Sequence, residues 1–419
     1  MGDGDVVAEV KALSNDIWAD NPLGLDGSRV IDRRIYVDPQ IFAAEQEKIF
    51  AKTWQWVAHE SELPNFGDYV TGTVGGRPIV VSRGDGGRIS AFLNTCTHRG
   101  AVLAPHPRGN SAGSFVCFYH GWCFDTEGRF TAAPLASAYG ENLGKACYDA
   151  PPVRHDVFAG NVFVCLDPDV QPLSDFLGAT GPRIEAYTGR HEALGRVRWL
   201  LKGNWKLWHE NFRDNYHPMY THQTIGANYQ GVKIQGANID LTDGHSLLAF
   251  PSQGNPEPIR SLMKHLTGIA PAEGVGSHRP QQGSLEYNHN ILAVFPNLDF
   301  QFQKSGGGGG YLQHVTPMGI DRAVVELVVF GEVGEPAEAR QARLDRFLDA
   351  QTSAGKISGD DNEAARRCEV GFGAVQEVRW SNMDRGQEPG LQGGKNDEYS
   401  LRAFYDAYKA FMGDSLVLG

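Results

Sequence analysis

The sequence predicts an α+β protein of two domains, and three observations carry that prediction. The chain has 419 residues, more than one ordinary domain holds and enough for two separate cores. From about Val57 to Asp167 it reads as short β segments separated by glycine-rich turns, which makes this stretch a small all-β unit. After Pro168–Pro172, strands and longer helices mix, so a second, larger domain is expected over residues 169–419.

The elements follow in order. Residues 1–28 are acidic and polar with little periodicity and are expected to form an irregular arm. Pro39 opens a helix carrying Phe42, Ala43, Ile49 and Phe50 at helical spacing, because a missing N–H does no harm in a first turn. Arm and helix together, 1–56, are expected to pack with the second domain. Within 57–168, strands are expected at Tyr69–Val74, Pro78–Ser82, Ile89–Asn94, Phe115–Val116 and Asn161–Leu166, with Gly84-Asp85-Gly86-Gly87 as one of the turns. Beyond the boundary the pattern gives strands at Arg196–Lys202, Ile291–Phe295, Leu298–Gln303, Tyr311–Val315 and Val324–Phe330. Helices are expected from about Lys206, at Pro336–Ala350 and at Glu398–Met412, the last with Leu401, Phe404, Tyr405, Tyr408 and Phe411 on a core stripe. The run Gly306–Gly310 has neither a GxGxxG pattern nor a Walker lysine, so it reads as a hairpin loop and not a phosphate cradle.

Charge narrows the function. With 38 Lys and Arg against 50 Asp and Glu, the net charge is −12, which argues against non-specific binding to nucleic acid or an anionic membrane. No apolar run is long enough to span a bilayer, and the opening MGDGDVVAEV has neither a basic nor an apolar signal region, so a cytoplasmic location is expected. Six cysteines are sparse for this length. Cys123, Cys147, Cys165 and Cys368 are scattered and are expected to be reduced and mostly buried, with Cys123 a small packing residue.

The other two cysteines sit in Cys96-Thr97-His98 and Cys117-Phe118-Tyr119-His120. Thiolate sulfur with imidazole nitrogen suits either zinc or a mixed-ligand iron–sulfur centre. Order within each half separates the two. A zinc site usually keeps its Cys pair together and its His pair together, whereas two loops with one Cys and one His each can clasp both irons of a [2Fe–2S] cluster. The flanks complete CTHRG and CFYHGW, with the Pro/Gly loop Pro105–Gly113 between them. These motifs resemble the Rieske motif of the ring-hydroxylating non-haem iron oxygenases, large subunit.

The densest polar stretch, Asn204 to His222, lacks a clean apolar stripe and carries His209, His217 and His222. His217 and His222 are i, i+5, about 140° apart on a straight helix, and could not serve one metal there. Pro218 is expected to end or kink the helix and let them converge on a carboxylate, as in a 2-His-1-carboxylate iron site. Glu210, Asn211, Asp214, Tyr216, His217 and His222 match the oxygenase family's Glu-Asn-x-x-Asp-x-Tyr-His-x-x-x-x-His. His209 lies outside that pattern and reads as an ordinary polar or packing residue. By the same resemblance the third ligand is Asp361, eight residues before Glu369, which stands where the family has Gln; Asp360 is the runner-up.

The resemblance implies a Rieske β-domain ahead of a catalytic domain built on a curved antiparallel sheet flanked by helices. It implies a [2Fe–2S] cluster on Cys96, His98, Cys117 and His120, and a mononuclear Fe(II) on His217, His222 and Asp361. By the same resemblance Asn211 and Asp214 are expected to be its catalytic residues, with Asp214 bridging His217 to a Rieske histidine, His98 or His120, of a neighbouring subunit in a ring of three. The expected activity is that of a terminal oxygenase acting on an aromatic substrate with O2. No nucleotide fingerprint is present, so electrons are expected from a partner ferredoxin or NAD(P)H reductase. A β subunit is possible in such systems. The alternative is a Rieske electron carrier, which would not need the second histidine pair. Trp208, Phe212, Met219, Ile291, Val294, Phe295 and Phe302 are apolar candidates for a substrate pocket.

Overall fold

The computed structural model describes residues 29–143, 146–222, 237–251, 287–303, 310–386, 392–394 and 396–413. Near the start, Val30–Asp32 pairs antiparallel with Trp380–Asn382. Helix α1 (Pro39–Glu45) has Pro39 in its first turn, and Asp38 caps it by accepting from the Gln40 N–H at 2.8 Å. A π turn, Gln46–Phe50, extends it.

Ten strands follow: β1 (Gln55–His59), β2 (Asp68–Val74), β3 (Arg77–Arg83), β4 (Ile89–Leu93), β5 (Arg108–Asn110), β6 (Ser114–Val116), β7 (Cys123–Asp125), β8 (Phe130–Ala132), β9 (Arg154–Phe158) and β10 (Asn161–Cys165). They build three antiparallel sheets, ordered β4-β3-β2-β5, β6-β7-β8 and β9-β10-β1. Val70, Ile79, Val81, Ala91, Val162 and Val164 point into one core. Phe92, Phe115, Trp122 and Phe124 form a second around Cys96 and Cys117. Of the strands the sequence did not announce, β1 and β9 are five residues long, while β5, β7 and β8 are only three. So short a run shows no alternation to read.

The second half is one eight-stranded antiparallel sheet of β11 (His191–Lys202), β12 (Ala237–Asp240), β13 (Ser246–Pro251), β14 (Tyr287–Val294), β15 (Leu298–Gln303), β16 (Gly310–Gly319), β17 (Arg322–Glu332) and β18 (Gln392–Gly394). Its order is β11-β17-β16-β15-β14-β13-β12-β18. Four further helices matter here besides α1: α2 (Trp205–Arg213), the single turn α3 (Pro218–Thr221), α4 (Ala337–Gln351) and α5 (Ser358–Gly371); a fifth, α6 (Tyr399–Met412), closes the chain. The run Val324 to Phe330 is almost wholly apolar because this sheet is covered on both faces. Val325, Leu327 and Val329 meet Trp205, Trp208 and Phe404 on the helical face, while Val328 and Phe330 meet Trp56, Phe163 and Ile184 on the other.

The two halves are joined by buried polar contacts. Arg196 on β11 pairs with Glu62 at 2.7 Å and Glu326 at 3.2 Å, with its guanidinium 4.9 Å from the Trp56 ring. On the helical face, Lys206 of α2 reaches Glu45 of α1 at 2.6 Å, both side chains fully buried. Among the described residues no helix is long and apolar enough to cross a membrane. The cysteines are reduced, but Cys147 and Cys368 are exposed, against the expectation that most would be buried. The Gly306–Gly310 loop falls outside the described residues except for Gly310, which opens β16.

Candidate metal centres

The two Cys/His motifs are the same local structure used twice. In each loop the glycine after the histidine returns its N–H to the cysteine carbonyl: Gly100 to Cys96 at 2.8 Å, and Gly121 to Cys117 at 2.9 Å. Both glycines have positive φ, 76° and 70°, which a side chain resists. A Cβ on Gly121 would also stand 2.8 Å from Pro134. The folded loops bring the His98 and His120 rings to 4.5 Å. Cys96 and Cys117 are buried beside each other; burial pushes the Cys96 thiol up and the Cys117 sulfur adds to it. His98 is sandwiched flat against Trp122, 4.8 Å away and tilted 7°, and its Nδ1 is buried without a partner among the described residues. Two adjacent buried sulfurs and two adjacent imidazoles fit a mixed-ligand cluster. Cys123 is not part of that set, since its thiol donates to the Gly121 carbonyl at 3.3 Å.

The second centre is built by an interruption. Asn204 caps α2, accepting from the Lys206 N–H at 3.1 Å, and its own N–H is held by Glu369 at 3.0 Å. Glu369, the departure from the family pattern, thus ties α5 to the start of α2. The helix then stops at Arg213, earlier than Pro218 alone would require. Asp214 is extended, and its carboxylate accepts from the Tyr216 N–H at 2.7 Å, the local competition by which Asp ends helices. Pro218 starts the one-turn α3 instead of breaking α2, and His217 and His222 flank that turn with ring centroids 5.4 Å apart.

Asp361, in the first turn of α5, closes the set. Its Oδ1 is 3.6 Å from His217 Nε2 and 3.3 Å from His222 Nε2. One ligating atom from each of the three residues lies within 4.8 Å of the others. Asn211 donates to the same Asp361 oxygen at 2.9 Å. Outside the set, Asp214 stands 3.6 Å from His217 Nδ1, and Asp360 stands 3.4 Å from His222 Nδ1. Asp360 therefore backs a histidine on the far side from Asp361. Burial pulls the His217 imidazole down, but Asp214 and Asp361 outweigh it and raise its pKa to about 9. Two imidazoles and one carboxylate drawn together in a mostly buried site fit a divalent iron.

The apolar candidates divide between the two faces of the sheet. Trp208, Phe212, Phe295 and Ile291 lie on the helical face with the histidines. Val294 and Phe302 lie on the opposite face, Phe302 stacked on Tyr187 at 4.6 Å, so they do not line this site. The Met219 side chain lies outside the described residues. His209 is more than a packing residue: fully buried, it contacts Asp299 at 2.9 Å and accepts from Arg213 at 2.8 Å. The i, i+4 spacing of His209 and Arg213 on α2 was a signal for that contact.

The chain is similar to known proteins in sequence and in fold. The sequence matches the Rieske [2Fe-2S] domain over residues 53–148 and the ring hydroxylating alpha subunit (catalytic domain) over residues 184–414. The anthranilate 1,2-dioxygenase large subunit of Burkholderia cepacia is 32% identical over 415 residues, covering 93% of this chain and 94% of that one. A naphthalene 1,2-dioxygenase large oxygenase component of Pseudomonas aeruginosa is 30% identical over 416 residues, covering 91% of each. The crystal structure of naphthalene 1,2-dioxygenase from Rhodococcus sp. bound to indole superposes with a TM-score of 0.78 at 26% identity, covering 92% of this chain and 94% of that one. Such a β-domain joined to such a sheet, each presenting a metal-ligand cluster, defines a Rieske non-haem iron oxygenase. The chain belongs to the ring-hydroxylating alpha-subunit family, and its cofactors are a [2Fe–2S] cluster and a mononuclear iron. The presence of the catalytic domain removes the electron-carrier alternative.

Proposed function

We propose that Cys96, His98, Cys117 and His120 hold the cluster, that His217, His222 and Asp361 hold the iron, and that the iron site hydroxylates an aromatic substrate. The single observation behind this reading is the convergence of His217, His222 and Asp361 within 4.8 Å on a helix interruption. Three protein ligands leave about three of six iron positions open, enough for O2 beside a substrate. The bound iron would supply the centre at which O2 is reduced. Asn211 holds the Asp361 carboxylate by its amide, and Asp214 orients His217 from Nδ1, the usual office of groups around a metal ligand. We take residues 57–168 as the cluster domain and 169–419 as the catalytic domain, with α1 and the π turn of the 1–56 segment packed on the latter through Ile41, Ile49 and Phe50; the arm expected over 1–28 lies outside the described residues.

Electrons come in this reading from a ferredoxin or an NAD(P)H-dependent reductase in the cytoplasm, through a cluster whose histidine ligands place its potential at roughly −150 to +300 mV. Asp214 is then the route from the His98 or His120 of a neighbouring subunit in a homotrimer, with or without a β subunit. Relatives named for anthranilate, toluate and 2-halobenzoate make aromatic carboxylates the first substrates to try, and those named for naphthalene the second. The test is a panel of aromatic acids, arene hydrocarbons and N- and O-alkyl arenes, supplied with a surrogate reductase. A hydroxylated or dealkylated product from at least one group is expected. NAD(P)H consumption with no product from any member would count against the reading.

A further inference from the structure

The helix that ends at the iron site is anchored by a buried three-residue relay. Arg213, the last residue of α2, is fully buried, and its Nε donates to His209 Nε2 at 2.8 Å. A guanidinium only donates, so His209 Nε2 must be the unprotonated nitrogen. Its Nδ1–H therefore points at Asp299 Oδ2, 2.9 Å away on β15. One tautomer alone satisfies both contacts, and it places a neutral imidazole between a buried cation and a buried anion. Gln313 on β16 donates to the same Asp299 oxygen at 3.4 Å.

The other arm of Arg213 is equally committed. Its Nη1 donates to the Gly244 carbonyl at 2.9 Å, to Ser246 Oγ at 3.0 Å and to the Ser400 carbonyl at 3.2 Å. Those partners belong to the β12–β13 turn, to β13 and to α6. The guanidinium thus fixes the end of α2 to the sheet and to the closing helix at once, and the next residue is Asp214. From there the chain turns immediately: Tyr216 N–H holds one Asp214 oxygen, the other faces His217, and Arg385 lies 4.4 Å from the Tyr216 ring. The turn between α2 and α3 contains no longer-range backbone hydrogen bond among the described residues that would set its place independently.

We propose that Arg213, His209 and Asp299 act as one positioning unit that sets the Asp214 carboxylate against His217. The role at Asp214 rests on the reading given above. A misplacement of about 1 Å near reacting groups can cost about a hundredfold in rate, so a loosened anchor should be visible in turnover. Leu at position 209 can make neither bond, whereas Gln can accept from Arg213 and donate to Asp299. Lys at position 213 keeps the charge but cannot reach His209 and the carbonyls together.

The experiment compares His209→Leu, His209→Gln, Arg213→Lys and Asp214→Asn in the holoprotein. The readouts are thermal midpoint, iron content, the spin-resonance spectrum of the nitric oxide adduct of the ferrous site, and single-turnover reoxidation of the reduced cluster with substrate and O2. Slowing of about ten- to a hundredfold is expected in His209→Leu and Arg213→Lys, with altered nitric oxide spectra and intact cluster absorption. His209→Gln is expected within about threefold of native. Native rates and spectra in His209→Leu, with Asp214→Asn slowed, would overturn the relay alone. A fast Asp214→Asn would overturn the reading of Asp214. If His209→Leu does not fold, His209→Gln decides: a variant as defective as Arg213→Lys would sink the donor–acceptor logic, and a restored one supports it.

Discussion

Asp361 offers the same carboxylate oxygen to both histidines, at 3.6 Å from His217 Nε2 and 3.3 Å from His222 Nε2. The third contact to that oxygen is the Asn211 amide at 2.9 Å. Helix α5 and the end of α2 are therefore held together through the atoms assigned to the metal. Removing Asn211 should loosen the ligand without deleting it. In Asn211→Leu the iron affinity is expected to fall about 10- to 100-fold, read by titration of iron-depleted protein; an unchanged affinity would show that Asp361 needs no support.

His217→Ala and His222→Ala should lose mononuclear iron and oxygenation while keeping the visible spectrum of the cluster. Native protein should hold about three irons per chain and these variants about two. Total iron that stays at the native level in His217→Ala would contradict the assignment.

Cys96→Ala and His120→Ala should abolish the cluster absorption, because Cys123, the spare sulfur closest to them in sequence, donates to the Gly121 carbonyl. A normal spectrum in Cys96→Ala would refute the ligand set.

Asp360 and Asp361 should separate cleanly. Asp361→Ala is expected to abolish iron binding, whereas Asp360→Ala, which removes only the carboxylate 3.4 Å behind His222, should weaken it about 10- to 100-fold. Metal analysis of the purified variants reads the difference, and the reverse ranking would exchange their roles.

Stability should fall with pH through His245. Its Nδ1 accepts from the Phe295 N–H at 3.0 Å and its Nε2–H donates to the Phe176 carbonyl at 2.8 Å, so the ring is neutral in the fold. Burial pulls its pKa down to about 4. An unfolded histidine titrates near about 6.5, so below that pH the unfolded state takes up a proton that the folded state refuses. This part of the stability is whole above about 6.5 and declines towards about 4, by at most about 1.4 kcal/mol per pH unit. Thermal midpoints of native protein and His245→Gln should therefore converge on acidification. Parallel curves would exclude His245 as a contributor.

Much of this was legible in the sequence because metal ligands constrain spacing. Cys96-Thr97-His98 and Cys117-Phe118-Tyr119-His120 must each present two donors from one tight loop, and Gly100 and Gly121 supply the positive φ that closes it. Strand β17 carries the apolar run Val324–Phe330 and β15 alternates Leu298, Phe300 and Phe302 with polar residues, so they could be read; β18, Gln392–Gly394, has neither pattern. The break before His217 was foreseen but misplaced, since Pro218 is conspicuous while the effect of Asp214 depends on a hydrogen bond to Tyr216. Arg213 stands at i, i+4 from His209 and was legible as one partner, but the other could not be read at all. Asp299 lies on another element, and only tertiary packing brings it near.

Electrons stored in the cluster are expected to be spent on O2 at the His217–His222–Asp361 site. The most direct measurement is a single turnover of fully reduced protein with substrate and 18O-labelled O2, without any reductase. Native protein should reoxidise its cluster and place label in the product, whereas His217→Ala should keep the cluster reduced and form none. Equal reoxidation of the cluster in both proteins, or product oxygen drawn from water, would contradict the account.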